Sequence, residues 1–133
     1  MPLLQEIGDY LTSQGVGTLG TNMFLGYLPD APNTAGAIYP TGGITAVHAF
    51  APGPGQAKAQ RPSVQIVWRS TSFQTADTKI RQIWALLDGL PERTLGGTRY
   101  QSIEAVADPA LMNRDEQGRT IMVANFYIAK DVS

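Results

Sequence analysis

Within residues 62–90, PSVQIVWRSTSFQTADTKIRQIWALLDGL, the hydrophobic period changes in mid-stretch from that of a strand to that of a helix, which restricts what the chain can fold into. Val64, Ile66 and Trp68 alternate with Ser63, Gln65 and Arg69, the pattern of a strand with one buried face. From Ser72 onward Phe73, Ala76, Ile80, Ile83, Trp84 and Leu87 recur at helical spacing, opposite Asp77, Lys79, Arg81 and Gln82. Thr71 or Ser72 can cap the first free amides. Gly89 suits the left-handed position after the last turn, and Pro91 forbids continuation. So wide an apolar stripe must be covered, and a sheet containing Val64, Ile66 and Trp68 is the natural cover.

At 133 residues and 43% apolar content the chain predicts a single domain, 1–133, with one core. Ten basic and eleven acidic residues, scattered along the chain, give no basic cluster for nucleic acid or an anionic membrane. With zero cysteines there are no disulfides, thiolate metal sites or cysteine nucleophiles. No apolar run approaches a membrane span and the N-terminus lacks a signal-peptide layout, so a soluble protein made in a cytoplasm is expected. The fourteen Gly and nine Pro, gathered in the first half, point to loops between short strands.

Leu3, Leu4, Ile7 and Leu11 share one helical face, with Gly15 as C-cap, and predict a short first helix. Gly15, Gly17 and Gly20 in GVGTLG have the spacing of a dinucleotide-binding loop, but in the wrong order. That loop follows a strand and opens a helix, whereas this stretch follows a helix and precedes strand-like NMFLGYLP. Residues 21–28 are expected as a strand and PDAPN as a loop, followed by a strand AGAIYP that ends in a turn at TGG. Residues 44–50 give weak alternation for a further short strand. Residues 51–60, APGPGQAKAQ, predict a mobile loop, either a partner grip or a plain connector.

PERTLGGT reads as a turn region leading into a half-exposed strand over 99–107. The last strand spans 119–130, with Met122, Ala124, Phe126 and Ile128 on one face and Ile121, Val123, Asn125 and Tyr127 on the other. Apolar groups on both faces suit an interior strand or one whose second face meets a neighbouring subunit. Turn chemistry at 115–118 makes these two strands a long hairpin with an excursion at its tip. The predicted fold is α+β: a mostly antiparallel sheet of about five strands with two helices packed on one face.

Chemistry is sparse. His48 is the single histidine and stands in AVHAF without an adjacent acid or nucleophile motif, so it reads as a strand or interface residue rather than a catalyst. No metal-ligand set, paired-carboxylate site or phosphate loop is visible, and Asp115 and Glu116 fit a polar hairpin tip. Trp68 and Trp84 lie on the apolar faces of their elements and read as core. No catalytic residue, cofactor or metal is therefore assigned.

Three segments in order resemble the tail-terminator or tail-completion proteins of long-tailed bacteriophages, also described as minor capsid proteins. They are residues 4–43, residues 75–90 and residues 96–130, with a Tyr-Pro-Thr-Gly-Gly turn at 39–43, Gly-Gly-Thr-Arg-Tyr at 96–100 and Arg-Asp-Glu-Gln-Gly-Arg at 114–119. The resemblance implies a structural virion protein that is not an enzyme. Similar proteins form a ring, commonly a hexamer, that caps the head-proximal end of the tail tube, stops its polymerisation and joins it to the head. The expected partners are copies of itself, the tail-tube protein and the head-tail connector protein, with genome DNA passing through the lumen without specific binding and no membrane. Assembly would take place in the host cytoplasm. The residues expected at subunit or tube contacts are Ile38, Tyr39, Gln56, Lys58, Arg61, Arg114, Asp115, Val123, Asn125 and Tyr127, with residues 51–60 against the tube or connector. A head-tail connector or neck protein, and a small ligand-binding regulatory domain, are the alternatives.

Overall fold

The computed structural model describes residues 3–48 and 57–131, and for 44–48 and 57–59 the backbone alone. Two helices, α1 (Leu3–Ser13) and α2 (Phe73–Leu87), accompany seven strands: β1 (Met23–Leu25), β2 (Ala35–His48), β3 (Ala57–Ser70), β4 (Arg93–Leu95), β5 (Thr98–Ala105), β6 (Ala110–Arg114) and β7 (Thr120–Asp131). They form one sheet in the order β1-β2-β3-β7-β5-β4, with β6 on the same side of β7 as β5. β5 pairs with one half of β7 and β6 with the other.

The predicted α+β class and mostly antiparallel sheet hold, but the sheet is larger than about five strands and is mixed to the extent that β1 runs parallel to β2. PERTLGGT contains β4 and the turn into β5. Gly96 and Gly97 there have φ of 58° and 89°, the two left-handed positions of a tight hairpin. The excursion before Asp115 is β6.

The TGG segment is not a turn, since β2 runs through it and absorbs residues 44–48. The register against β3 shifts between Pro40 and Gly42, which marks a bulge. Gly43 sits at φ 116° with its Cα so close to β3 that an added Cβ would lie 2.2 Å from the Arg61 carbonyl oxygen. Pro40 is tolerated because backbone groups alternate along a strand. Gly36 N–H and Ile38 C=O point away from β3, to Asn22 and Gly26, so the N–H missing at Pro40 belongs on the same outer side.

Both helices pack on one face of the sheet. Ile7 and Leu11 of α1 and Ala76, Ile80, Ile83 and Leu87 of α2 join Ile38, Val64, Ile66, Trp68, Met122, Ala124, Phe126 and Ile128 in one core. Ser72 caps α2 by accepting from the Thr75 amide, and Gly15 follows α1 at φ 79°. Phe73, expected on the buried stripe of α2, is instead 45% exposed. Trp84 is half-buried, its indole N–H donating to the Ala107 carbonyl at 3.1 Å. The glycines of GVGTLG lie in the turns between α1 and β1, not between a strand and a helix.

Candidate functional site

Among the described residues no helix covers the second face of the sheet. Odd-numbered residues of β7 point there, and Ile121, Val123 and Asn125 are half-buried while Tyr127 is 48% exposed. Across β3 the same face carries Gln65, Val67 and Arg69, and across β2 Ala35, Ala37 and Tyr39, as the pairings Val123↔Val67 and Ala37↔Val67 require. Val67, Ala35 and Ala37 are nonetheless buried.

Their cover is the segment 26–34, held down by two arginines. Arg69 donates through Nε to the Asn33 carbonyl at 3.2 Å and through Nη2 to that of Pro32. Arg119, at the foot of β7 and 4% exposed, donates to Asp115 at 2.7 Å, to the Asp30 carboxylate at 2.8 Å and carbonyl at 2.6 Å, and to Asn33 Oδ1 at 3.2 Å. Gln117 adds a further bond to Asp30. The hydrogen bonds from Arg119 and Gln117 hold the Asp30 carboxyl below its ordinary range. Burial pushes the Asp115 carboxyl up, but the backbone and side-chain bonds of Arg119 outweigh it and bring the net value down. Burial likewise pulls the Arg119 guanidinium down, and its two carboxylate partners more than compensate.

Beside this strap lies an open groove of about 230 Å³ lined by Leu28, Tyr39, Gln65, Val67, Met112 and Ile121. A second, of about 220 Å³, lies between Arg61, Ser102, Glu104, Tyr127 and Ala129. Burial, which outweighs the opposing charge of Arg69, pushes the Tyr39 phenol up, so it stands in the first groove as a neutral hydrogen-bonding group.

The residues singled out from sequence fall into four groups. Tyr39, Arg61, Val123, Asn125 and Tyr127 are brought together on the helix-free face or its grooves. Ile38 faces the helices at 1% exposure and its backbone edge is taken by β1, so it belongs to the core rather than to that face. Asp115 is engaged by Arg119, and Arg114 is exposed at the end of β6. Gln56 and residues 49–56 lie outside the described residues, as does the side chain of Lys58 in β3. The backbone of His48 pairs with Ala57. Leu28, Met112, Arg69 and Arg119 were not anticipated. Only the apolar pair Leu111-Met112 beside a turn hinted at β6, and the arginine contacts to segment 26–34 join residues 36 to 89 positions apart.

Among the described residues no group of acidic or histidine side chains is placed to hold a metal, and no helix is long and apolar enough to cross a membrane. The site therefore consists of a partly apolar sheet face and two strand edges. The outer edge of β2 beyond Ile38 and that of β6 pair with no other strand described.

Comparison with known families matches the chain to the bacteriophage tail terminator protein family over residues 10–132. A search of curated proteins finds no match.

Proposed function

The chain belongs to the bacteriophage tail terminator family, and on that premise we propose that it closes into a ring on the head-proximal end of the tail tube, ends tube polymerisation and presents the surface to which the head is joined. Family membership makes it a structural component of the phage tail that works against other tail proteins. The observation that carries the finer reading is the helix-free face, where Tyr39, Val123, Asn125 and Tyr127 stand beside strand edges that are unpaired among the described residues. A ring needs two different surfaces per copy that meet head to tail, and a sheet open at both sides has them. The hexameric state, the tail-tube and head-tail connector proteins as partners, and DNA passing through the lumen belong to this proposal. A small-ligand domain would need a closed pocket with converging polar groups, and the grooves on this face are open.

The test is light scattering after size exclusion, with and without tail-tube protein, combined with electron microscopy of tails grown with and without the chain. Rings and tails of uniform length are expected. A strict monomer in the presence of tubes, with tail length unchanged by its absence, overturns the proposal.

A further inference from the structure

We infer that neighbouring copies join edge to edge, the outer edge of β2 in one copy adding to the outer edge of β6 in the next. The inference rests on the ring reading and names the two surfaces that build it.

Most of the sheet perimeter is closed. β1 covers β2 at Gly36–Ile38. Beyond β5, β4 pairs at Thr98–Tyr100, and the end of α2 covers the rest, where the Gly89 amide donates to the Ile103 carbonyl and the Asp88 carboxylate accepts from the Ala105 amide. Among the described residues the longest unpaired edges are β2 from Tyr39 onward on one side and β6 on the other, the terminal strands β1 and β4 having three residues each.

Strand polarity decides how these two edges can meet. β2 with β3, β3 with β7 and β7 with β6 are all antiparallel. Four alternating strands end with β6 running opposite to β2. A second copy in the same orientation beside the first therefore sets its β2 antiparallel to β6, the arrangement whose hydrogen bonds run perpendicular to the strands and which is slightly the more stable per residue. An odd number of strands would have made that joint parallel. Because β2 meets β6 rather than another β2, the contact is heterologous and can repeat around an axis.

The edges are also chemically suited. Residues 35–48 contain no Asp, Glu, Lys or Arg, the charges with which edge strands commonly deter pairing. Pro40 and the bulge after it guard only the start, leaving 41–48 as the pairing stretch. All five residues of β6 are exposed, with Leu111 at 52% and Met112 at 45%, apolar surface that a neighbouring strand would cover. β6 lies level with Ala37, through Val123 and Val67, so each joint steps the next copy along the strand direction. Closed barrels carry the same kind of stagger between their strands.

The chain has no cysteine, so engineered thiols report unambiguously. Thr41→Cys and Asn113→Cys, both at exposed positions, are made singly and together and treated with a short bis-maleimide on assembled rings. Pro40→Cys and Arg114→Cys serve as a second pair should either variant fold poorly. The expected result is a covalent ladder from the double variant, a linked dimer from the two mixed single variants, and no product from either single variant alone. Rings that persist without β2-to-β6 links, or that give links between like sites, overturn this inference and leave the ring standing. Failure of every variant and of the unmodified chain to assemble on tubes overturns the ring and this joint together.

Discussion

The Tyr100 hydroxyl donates a 2.9 Å hydrogen bond to Glu6 Oε1 inside the protein, joining β5 to α1 across 94 positions of chain. Glu6 is 1% exposed and its Oε2 has no hydrogen-bond partner among the described residues, so this single donor supports a buried carboxyl. Tyr100→Phe removes the donor and strands the carboxyl, which should cost about 1–3 kcal/mol. Glu6→Gln keeps an acceptor for the tyrosine and removes the acid, so it should cost less. Urea unfolding of the two variants checks the order, and equal stability of Tyr100→Phe and the parent would show that the bond carries nothing.

The same pair sets an alkaline limit. Burial first, then the bond to Glu6, push the Tyr100 phenol well above its ordinary value. Above about pH 10 the unfolded chain releases a proton that the native state keeps. Stability that is fully present below that pH therefore falls as the pH rises through it. Tyr100→Phe should flatten this alkaline fall in unfolding free energy. It should not abolish it, because burial also raises Tyr39.

Arg119 is predicted to govern the strap over the helix-free face. Arg119→Ala removes the bonds to Asp30, Asn33 and Asp115 together, so amide exchange in residues 28–34 should accelerate while α2 stays protected. Arg119→Lys should recover only part, since one ammonium cannot span two carboxylates and a carbonyl as a guanidinium fork does. The native values of Asp30 and Asp115 are depressed, so their contribution is present above the usual carboxylate range and is lost as pH falls through it, below about pH 4. The alanine variant should show a shallower acid limb. Unchanged exchange in 28–34 would place the hold on the strap with Arg69 and Gln117.

Gly42 and Gly43 separate backbone strain from steric clash. Gly42 has φ 96° and open space around a Cβ, so Gly42→Ala should cost roughly 1–2 kcal/mol for the left-handed backbone alone. At Gly43 the added carbon would lie 2.2 Å from the Arg61 carbonyl and 2.5 Å from Pro62 Cα, backbone that no rotamer change can move aside. Gly43→Ala should therefore be clearly the more damaging. Thermal unfolding of the two variants gives the comparison, and equal losses would mean that the strands part easily at the bulge.

What could be read from the sequence was whatever local chemistry determines. The period and caps of α2 were visible because Ser72, Ile80, Ile83, Leu87 and Gly89 act within one or two turns of each other. The two faces of β7 followed from its alternation in the same way. Phe73 was misplaced because spacing assigns a side of the helix but not whether the sheet reaches as far as its first residue. The TGG segment was misread because glycines serve turns and bulges alike. Only the partner strand, Arg61 to Ser63, decides between them. The strap was illegible for a stronger reason: Arg119 and Asp30 are 89 positions apart, and nothing in either neighbourhood announces the other.

Two exposed aromatics offer the sharpest test of where the assembly surface lies. Tyr127 is 48% exposed on the helix-free face and Phe73 is 45% exposed at the start of α2, in the opposite layer. Truncating either to alanine should leave the stability of the isolated chain within about 0.5 kcal/mol, because neither supports the core. Their effects on assembly should differ. An aromatic at the centre of a contact commonly contributes enough that its loss weakens association about tenfold or more. Tyr127→Ala should therefore reduce co-sedimentation with tail tubes and give irregular tail lengths, and Phe73→Ala should do neither. Equal effects from the two, or assembly sensitive only to Phe73, would move the contact surface to the helical layer.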